Sequence, residues 1–299
     1  MRYSPSADLR RYKIIKKPSL FDFFSNLHIT KLLIIFNILF FILFLIMGFG
    51  SDADCNKSLC KSIALTPNNL FEDNYWWTLI SSMFMHACWM HLLVNMFSLY
   101  FVGSFLEMLI GRKRFFWFYI LSGIFAGLFF ALFSYFLGNN GGILENIFGN
   151  PAISALGASG AIFALAGVLA VLTPKNKVYL IAGPLIAIIL EYIFIAAFNL
   201  TNFVSGLLDF IVFFYVIISL FSLVSFNDNL KKISLPVKIP LWVLPLVAIA
   251  PLILIGIFIN LPIGNMAHLG GFIAGILYGF YLRFKYKNKT VMIAKYFSR

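Results

Sequence analysis

The sequence predicts an all-α protein, a polytopic membrane helical bundle. Of its 299 residues, 61% are hydrophobic and only 11% are charged, and the mean hydropathy is +0.93. A water-soluble domain of this length carries far more polar surface. The apolar residues also fall into runs of about 20, the length that an α-helix needs to cross the hydrocarbon core of a bilayer.

Eight apolar runs predict eight spans. In chain order they are Leu32–Phe49, Met90–Ile110, Phe115–Leu137, Ser159–Leu172, Val178–Phe198, Phe203–Phe226, Pro240–Ile259 and Met266–Phe284. A basic tail, residues 1–30, precedes the membrane domain 31–284, and a second basic tail, 285–299, follows it. The long loop after the first span carries Trp76 and Trp77, which suit a membrane interface.

The net charge of +12 does not indicate a nucleic-acid partner, because the basic residues lie in short clusters between the apolar runs. If residue 1 is cytoplasmic, the outside loops hold only Lys57 and Lys61, and every other Lys or Arg falls on the cytoplasmic side, as the positive-inside rule requires. We therefore expect a multi-pass protein of the cell membrane with both termini cytoplasmic and the lipid bilayer as its surroundings. Cys55 and Cys60 either pair in an oxidising compartment or remain free thiols.

Topology brings four separated polar residues to a similar depth. Ser159 and His268 lie at or near the outer starts of two spans that run inward, and His91 and Asn95 lie in the outer part of another. His91 and Asn95 are four residues apart and share one helix face. His86 falls off that face and is expected to cap the helix or brace the preceding loop. Polar residues inside a membrane commonly serve a functional site.

These residue types suit serine hydrolysis, which needs a nucleophile, a base and donors for an oxyanion. Ser159 supplies the hydroxyl and His268 the imidazole. His91, Asn95 and the backbone N–H of Ser159 supply donors. No third carboxylate is evident, so a dyad is the simpler interpretation. Small residues that allow close approach of backbones are expected to support the site: Gly157, Gly160, Gly271 and Gly275. Phe163, an aromatic ring beside the imidazole, and His86 are the other supporting positions.

The pattern resembles the rhomboid family of intramembrane serine proteases. The resemblance rests on His86-x4-His91-x3-Asn95, Gly157-x-Ser159-Gly160 and Ala267-His268-x2-Gly271-x3-Gly275, with Leu106-Glu107-x3-Gly111 at a matching turn. It implies a Ser159–His268 dyad, with His91 and Asn95 assisting the oxyanion. It also implies cleavage of transmembrane protein substrates near their outer ends, without a metal or cofactor.

The chain departs from the family pattern at three places. The family core has six spans, so residues 178–226 are interpreted as an inserted helical pair before the span that begins at Pro240. Phe163 stands where many members carry a tyrosine, and the usual Trp-Arg pair of the first outer loop is not visible. Two other functions stay open: a catalytically silent relative that binds membrane proteins, and a small transporter that uses the intramembrane acids Glu191 and Asp209.

Overall fold

A computed structural model describes residues 28–47, 58–198, 200, 202–224, 228–257 and 264–297. Its α-helices are α1 Ile29–Ile46, α2 Ser58–Ile63, α3 Pro67–Phe71, α4 Thr78–Ser81, α5 Trp89–Ser98, α6 Ser104–Ile110, α7 Arg112–Leu137, α8 Gly142–Phe148, α9 Ser159–Leu172, α10 Ala182–Phe198, α11 Asn202–Val224, α12 Asp228–Lys231, α13 Leu244–Gly256, α14 Asn265–Lys285 and α15 Lys287–Tyr296. Short 3₁₀ turns cover Ser82–Phe84, Gly138–Asn140 and Lys232–Ser234. Two strands, β1 Lys177–Ile181 and β2 Pro236–Pro240, complete the described elements.

Several of these helices have the length and composition of membrane spans. Four described segments are long and apolar enough to cross a bilayer: Ile29–Ile46, Trp89–Ile110, Arg112–Asn140 and Phe203–Ser222. Shorter apolar helices cover Ser159–Leu172, Ala182–Ile195 and Leu244–Ile255. The predicted polytopic helical bundle is therefore confirmed.

The second span is a single irregular helix. A π-helical segment, Leu99–Gly103, joins α5 to α6, and the helix ends at Gly111. Gly111 has a φ of 83°, a left-handed conformation that glycine adopts without steric penalty. The chain can therefore reverse at once into α7.

The helix that Ser159 opens lies at the centre of the bundle. Every residue of α9 except Ser159 and Phe163 is buried. The sequence explains this, because α9 is apolar all round and is built largely from Ala, Gly, Val and Leu. Small side chains let neighbouring helices approach closely, and α14 packs along almost the whole of α9.

The start of the predicted fifth span is a strand and not a helix. Residues Lys177–Ile181 pair antiparallel with Pro236–Pro240, with Tyr179 opposite Lys238. Val178, Tyr179 and Ile181 have high strand propensity, and the resulting ribbon makes α10 begin at Ala182. Pro240 ends β2, and α13 begins four residues later, at Leu244. The ribbon thus holds the chain that precedes α10 next to the chain that follows α11 and α12.

Hydrogen bonds to backbone groups fold the loop after the first span and tie it to the segment before α9. Leu65 and Ala155 form an isolated antiparallel bridge. The Trp77 indole donates to the Ser62 carbonyl oxygen at 2.6 Å, and Ser81 Oγ donates to that of Ile63 at 2.6 Å. The ring of Trp77 is about half exposed, as expected for an interfacial residue.

Some of the sequence predictions concern residues outside the ranges that the structure describes. The basic tail lies outside the described residues except for its last three positions, and so does Cys55. Cys60 is disulfide-bonded, whereas Cys88 is a free thiol.

Candidate active site

Ser159 is the first residue of α9, and the segment before it is held in an unusual backbone conformation. Gly157 has a φ of 116°, and its N–H donates to the Ser82 carbonyl oxygen at 2.9 Å. An L side chain is strained at this φ. A Cβ at Gly157 would also lie 2.8 Å from Nε2 of His91. The glycine therefore both turns the chain into α9 and lets the His91 ring approach the backbone beside Ser159.

His268 lies in the first turn of α14, and its imidazole contacts the serine. His268 Nε2 and Ser159 Oγ are 2.8 Å apart, within hydrogen-bond distance. The Phe163 ring, one turn after Ser159, lies against the imidazole at 4.5 Å between centroids and 31° between planes. Nδ1 of His268 is buried and has no hydrogen-bond partner among the described residues. The serine and histidine thus form a pair without a third hydrogen-bonding side chain in this part of the chain.

Glycines at the crossing of α9 and α14 make this contact possible. A Cβ on Gly271 would collide with the Gly160 carbonyl oxygen, and one on Gly275 would collide with that of Ala164. A Cβ on Gly167 would lie 2.6 Å from the Phe272 carbonyl oxygen. The two backbones are therefore in direct contact over about two helical turns, beginning one residue after Ser159.

His91 and Asn95 lie on the face of α5 that is turned toward Gly157. The Asn95 amide donates one hydrogen bond to the His91 carbonyl oxygen, at 2.9 Å, and its Nδ2 would lie 3.7 Å from a Cβ at Gly157. The Ala87 N–H donates to Nδ1 of His91 at 3.5 Å. An accepting Nδ1 means that the neutral ring carries its proton on Nε2, the atom that faces Gly157. Both side chains can therefore present N–H groups beside the serine.

His86 lies in the segment before α5 and supports the His91 ring. Its side chain is 7% exposed, and the two rings meet edge to face with centroids 5.1 Å apart. Of the two expectations for His86, bracing of the loop agrees with this position, since Cys88 occupies the N-cap position of α5.

Glu191 and Asp209, the two acids of the predicted fifth and sixth spans, lie next to each other. Glu191 on α10 and Asp209 on α11 are in side-chain contact, and the adjacent Tyr192 lies near Cys88. Within the described ranges, no three or more His, Cys, Asp and Glu side chains are grouped so that they could hold a metal ion.

Two contacts of the site have no signal in the sequence. The Ser82 carbonyl oxygen fixes Gly157, and the Ala87 N–H fixes the ring of His91. Both are backbone groups, so their roles do not depend on residue type. Only the fold of the segment from Thr78 to Cys88 brings them to the site.

Comparison with known proteins extends the similarity well beyond the motifs. A family model described as the Rhomboid domain matches residues 73–212 and 215–285, more than half of the chain. RHOMBOID-like protein 2 of Arabidopsis thaliana is 36% identical over 110 residues, which cover 37% of this chain and 30% of that protein. RHOMBOID-like protein 6, mitochondrial, of the same plant is 32% identical over 145 residues, which cover 48% of this chain and 41% of that protein.

A bacterial relative gives a similar match. Rhomboid protease GluP of Bacillus subtilis (strain 168) is 32% identical over 148 residues, which cover 50% of this chain and 25% of that protein. The matched segments thus make up between a quarter and two fifths of the relatives' own lengths. Together with the apolar helices, the extent of the family-model match shows that this chain is a multi-pass membrane protein of the rhomboid family.

Proposed function

We propose that this protein is an intramembrane serine endopeptidase that cleaves transmembrane proteins near their outer ends with a Ser159–His268 dyad. The observation that carries the proposal is the 2.8 Å contact between Ser159 Oγ and His268 Nε2. A hydroxyl becomes an effective nucleophile when an adjacent base accepts its proton. Sequence similarity to a protein named a rhomboid protease supports the same reaction class.

The first half of the reaction follows from the positions of the side chains. Ser159 Oγ attacks the carbonyl carbon of the substrate peptide bond while its proton passes to Nε2 of His268. Negative charge develops on the carbonyl oxygen, and N–H groups of His91, Asn95 and the Ser159 backbone donate to it. The peptide C–N bond then breaks, and the departing amine takes the proton from Nε2.

The second half restores the serine. Water gives a proton to Nε2 of His268, and its oxygen attacks the acyl carbon. The ester bond to Oγ breaks, and Oγ recovers the proton from the imidazolium. Phe163 keeps the imidazole plane in place through both halves. These steps need no metal ion or cofactor.

Cleavage of a single-span substrate in proteoliposomes tests the proposal. We expect wild-type protein to cut the substrate near its outer end, and Ser159→Ala and His268→Ala to lose cleavage by at least about 10³-fold while remaining folded. Ser104→Ala, which removes a hydroxyl elsewhere in the bundle, is the matched control and should retain full activity. Undiminished cleavage by either dyad variant would rule out the dyad. Binding of substrate without any cleavage by the wild type would favour the catalytically silent function.

The proposal extends to topology and to the domain boundaries. We place both termini in the cytoplasm of a cell whose plasma membrane holds the protein, and we interpret residues 178–226 as a helical pair added to a six-span core. The basic residues around the β1–β2 ribbon and after α14 support this orientation. A single cysteine that replaces Lys175 or Lys289 should react with a membrane-impermeant maleimide only after the cells are opened. Labelling of intact cells at either position would contradict the orientation.

A further inference from the structure

Two cations and two tyrosines form a cluster at the opposite end of α14 from His268. Arg114 Nη2 donates to the Tyr286 hydroxyl at 3.0 Å, and the guanidinium carbon lies 4.8 Å from the centre of that ring. Lys285 Nζ donates to the Tyr281 hydroxyl at 2.8 Å and lies 5.3 Å from its ring centre. Lys285 also lies 5.8 Å from the ring centre of Tyr286, so one aromatic ring contacts both cations.

The two positive charges contact the same tyrosine ring, and no carboxylate among the described residues pairs with either of them. In the part of the chain that the structure describes, neither Arg114 nor Lys285 forms a salt bridge. Hydroxyl and aromatic contacts fix the position of a cation but leave its charge uncompensated. Two like charges beside the same ring repel each other, and an anion bound between them removes that repulsion. The cluster therefore has the charge and the donors of an anion site.

Apolar side chains continue from the cluster along both helices. On α7, the exposed Trp117 and Leu121 follow Arg114 by one and two helical turns. On α14, the exposed Leu277 precedes Tyr281 by about one helical turn, and Tyr281 precedes Lys285 by another. The helices are joined here by the stacked rings of Phe118 and Tyr278, with centroids 4.4 Å apart. An anion with attached hydrocarbon chains fits this surface better than a small soluble anion does.

We propose that Arg114 and Lys285 bind the phosphate of an anionic phospholipid, whose acyl chains lie along the exposed apolar residues of α7 and α14. The Arg guanidinium offers a planar pair of donors to phosphate oxygens, and the Lys ammonium acts as a point charge. Basic pockets between membrane helices at the level of the head groups are suited to such lipids.

The site is separate from the proposed active site. Lys285 lies seventeen positions after His268 on α14, a distance of roughly 25 Å along the helix axis. The head group of a bound lipid therefore lies far from Ser159, and lipid binding is measurable without reference to proteolysis.

Native mass spectrometry of the purified protein tests the proposal. Protein in detergent is incubated with phosphatidylglycerol, with phosphatidylcholine or with inorganic phosphate, and bound adducts are counted. We expect the wild type to retain phosphatidylglycerol over phosphatidylcholine. The double variant Arg114→Gln, Lys285→Gln should bind phosphatidylglycerol about thirtyfold more weakly, as expected for the loss of two cations near a lipid surface.

Two control variants separate the site from charge in general. Lys175→Gln with Lys177→Gln removes the same charge around β1 and should bind phosphatidylglycerol as the wild type does. Arg114→Lys with Lys285→Arg keeps both charges and should retain most of the binding. Any of three results would overturn the proposal. The Lys175/Lys177 variant could lose as much phosphatidylglycerol binding as the Arg114/Lys285 variant. The wild type could retain both lipids equally, or equimolar inorganic phosphate could displace the bound lipid.

Discussion

Ser159 and His268 are 109 positions apart in the sequence, yet Oγ of the first and Nε2 of the second are 2.8 Å apart. The contact depends on the crossing of α9 and α14, where Gly271 meets the Gly160 carbonyl oxygen with no side chain between the backbones. Close packing of the two helices and the contact between Ser159 and His268 therefore both require the absence of a side chain at Gly271. A substitution that separates the helices also separates the serine from the histidine.

Gly271→Ala tests this coupling. The added Cβ would collide with the Gly160 carbonyl oxygen, so we expect the helices to move apart, the unfolding free energy to fall by about 1–3 kcal/mol, and cleavage to fall at least tenfold. Thermal unfolding in detergent and cleavage in proteoliposomes measure the two effects. Gly206→Ala is the matched control, because no atom of the described residues outside its own helix lies within 4 Å of a Cβ at that position. Full activity of Gly271→Ala would show that the close crossing is not needed.

His91→Ala and Asn95→Ala test the proposed oxyanion donors. Each removes one N–H group beside Gly157, and loss of one such donor commonly lowers kcat by about 10²–10³-fold. We expect KM to change little, since the donors act on charge that develops during the reaction. Val94→Ala, on the exposed side of the same helix, should leave both constants unchanged. A rise in KM with unchanged kcat would instead assign His91 and Asn95 to substrate binding.

Phe163→Ala tests the support of the imidazole. The Phe163 ring lies 4.5 Å from that of His268, so its removal lets the imidazole turn away from Ser159 Oγ. We expect cleavage to fall about tenfold, because misplacement of a catalytic group slows the reaction. Phe163→Tyr keeps the aromatic face and should retain most of the activity. Phe194→Ala, at an exposed ring, is the control for loss of a phenyl group. The idea fails if Phe163→Ala cleaves as fast as the wild type.

Glu107→Ala tests how the first helix is attached to the bundle. The buried carboxylate accepts hydrogen bonds from the N–H groups of Ile29 and Thr30, at 2.8 and 2.9 Å, and from the Thr30 hydroxyl at 2.7 Å. Its loss leaves donors in the first turn of α1 without partners, so we expect the unfolding free energy to fall by about 3 kcal/mol. Thermal unfolding in detergent checks this, with Met108→Ala, an exposed neighbour, as the control. An unchanged transition would mean that water replaces the carboxylate.

The helical bundle could be predicted because the apolar runs have the length of a bilayer crossing. A shared depth of Ser159, His268 and His91 is predicted from the parity of the spans and the clusters of Lys and Arg, and the three side chains do lie around the start of α9. Their roles in the reaction stay predictions until they are tested.

The β1–β2 ribbon could not be predicted in this way. Val178–Ile181 is continuous with an apolar run, and the pattern of such a run does not distinguish a strand from the start of a helix. The pairing partner, Pro236–Pro240, lies more than fifty residues away. The hydrogen bond from the Gly157 N–H to the Ser82 carbonyl oxygen could not be predicted either, because every residue type carries the same backbone carbonyl group.

Labelling of Ser159 by a fluorophosphonate probe tests the central claim most directly. The probe reacts with a serine whose proton is taken by a neighbouring base, so it reports nucleophile activation without a known substrate. We predict a single adduct, mapped to Ser159 by peptide mass spectrometry, that is lost in Ser159→Ala and at least about a hundredfold slower to form in His268→Ala. Unmodified Ser159 in folded wild-type protein, or equal labelling rates with and without His268, would contradict the account.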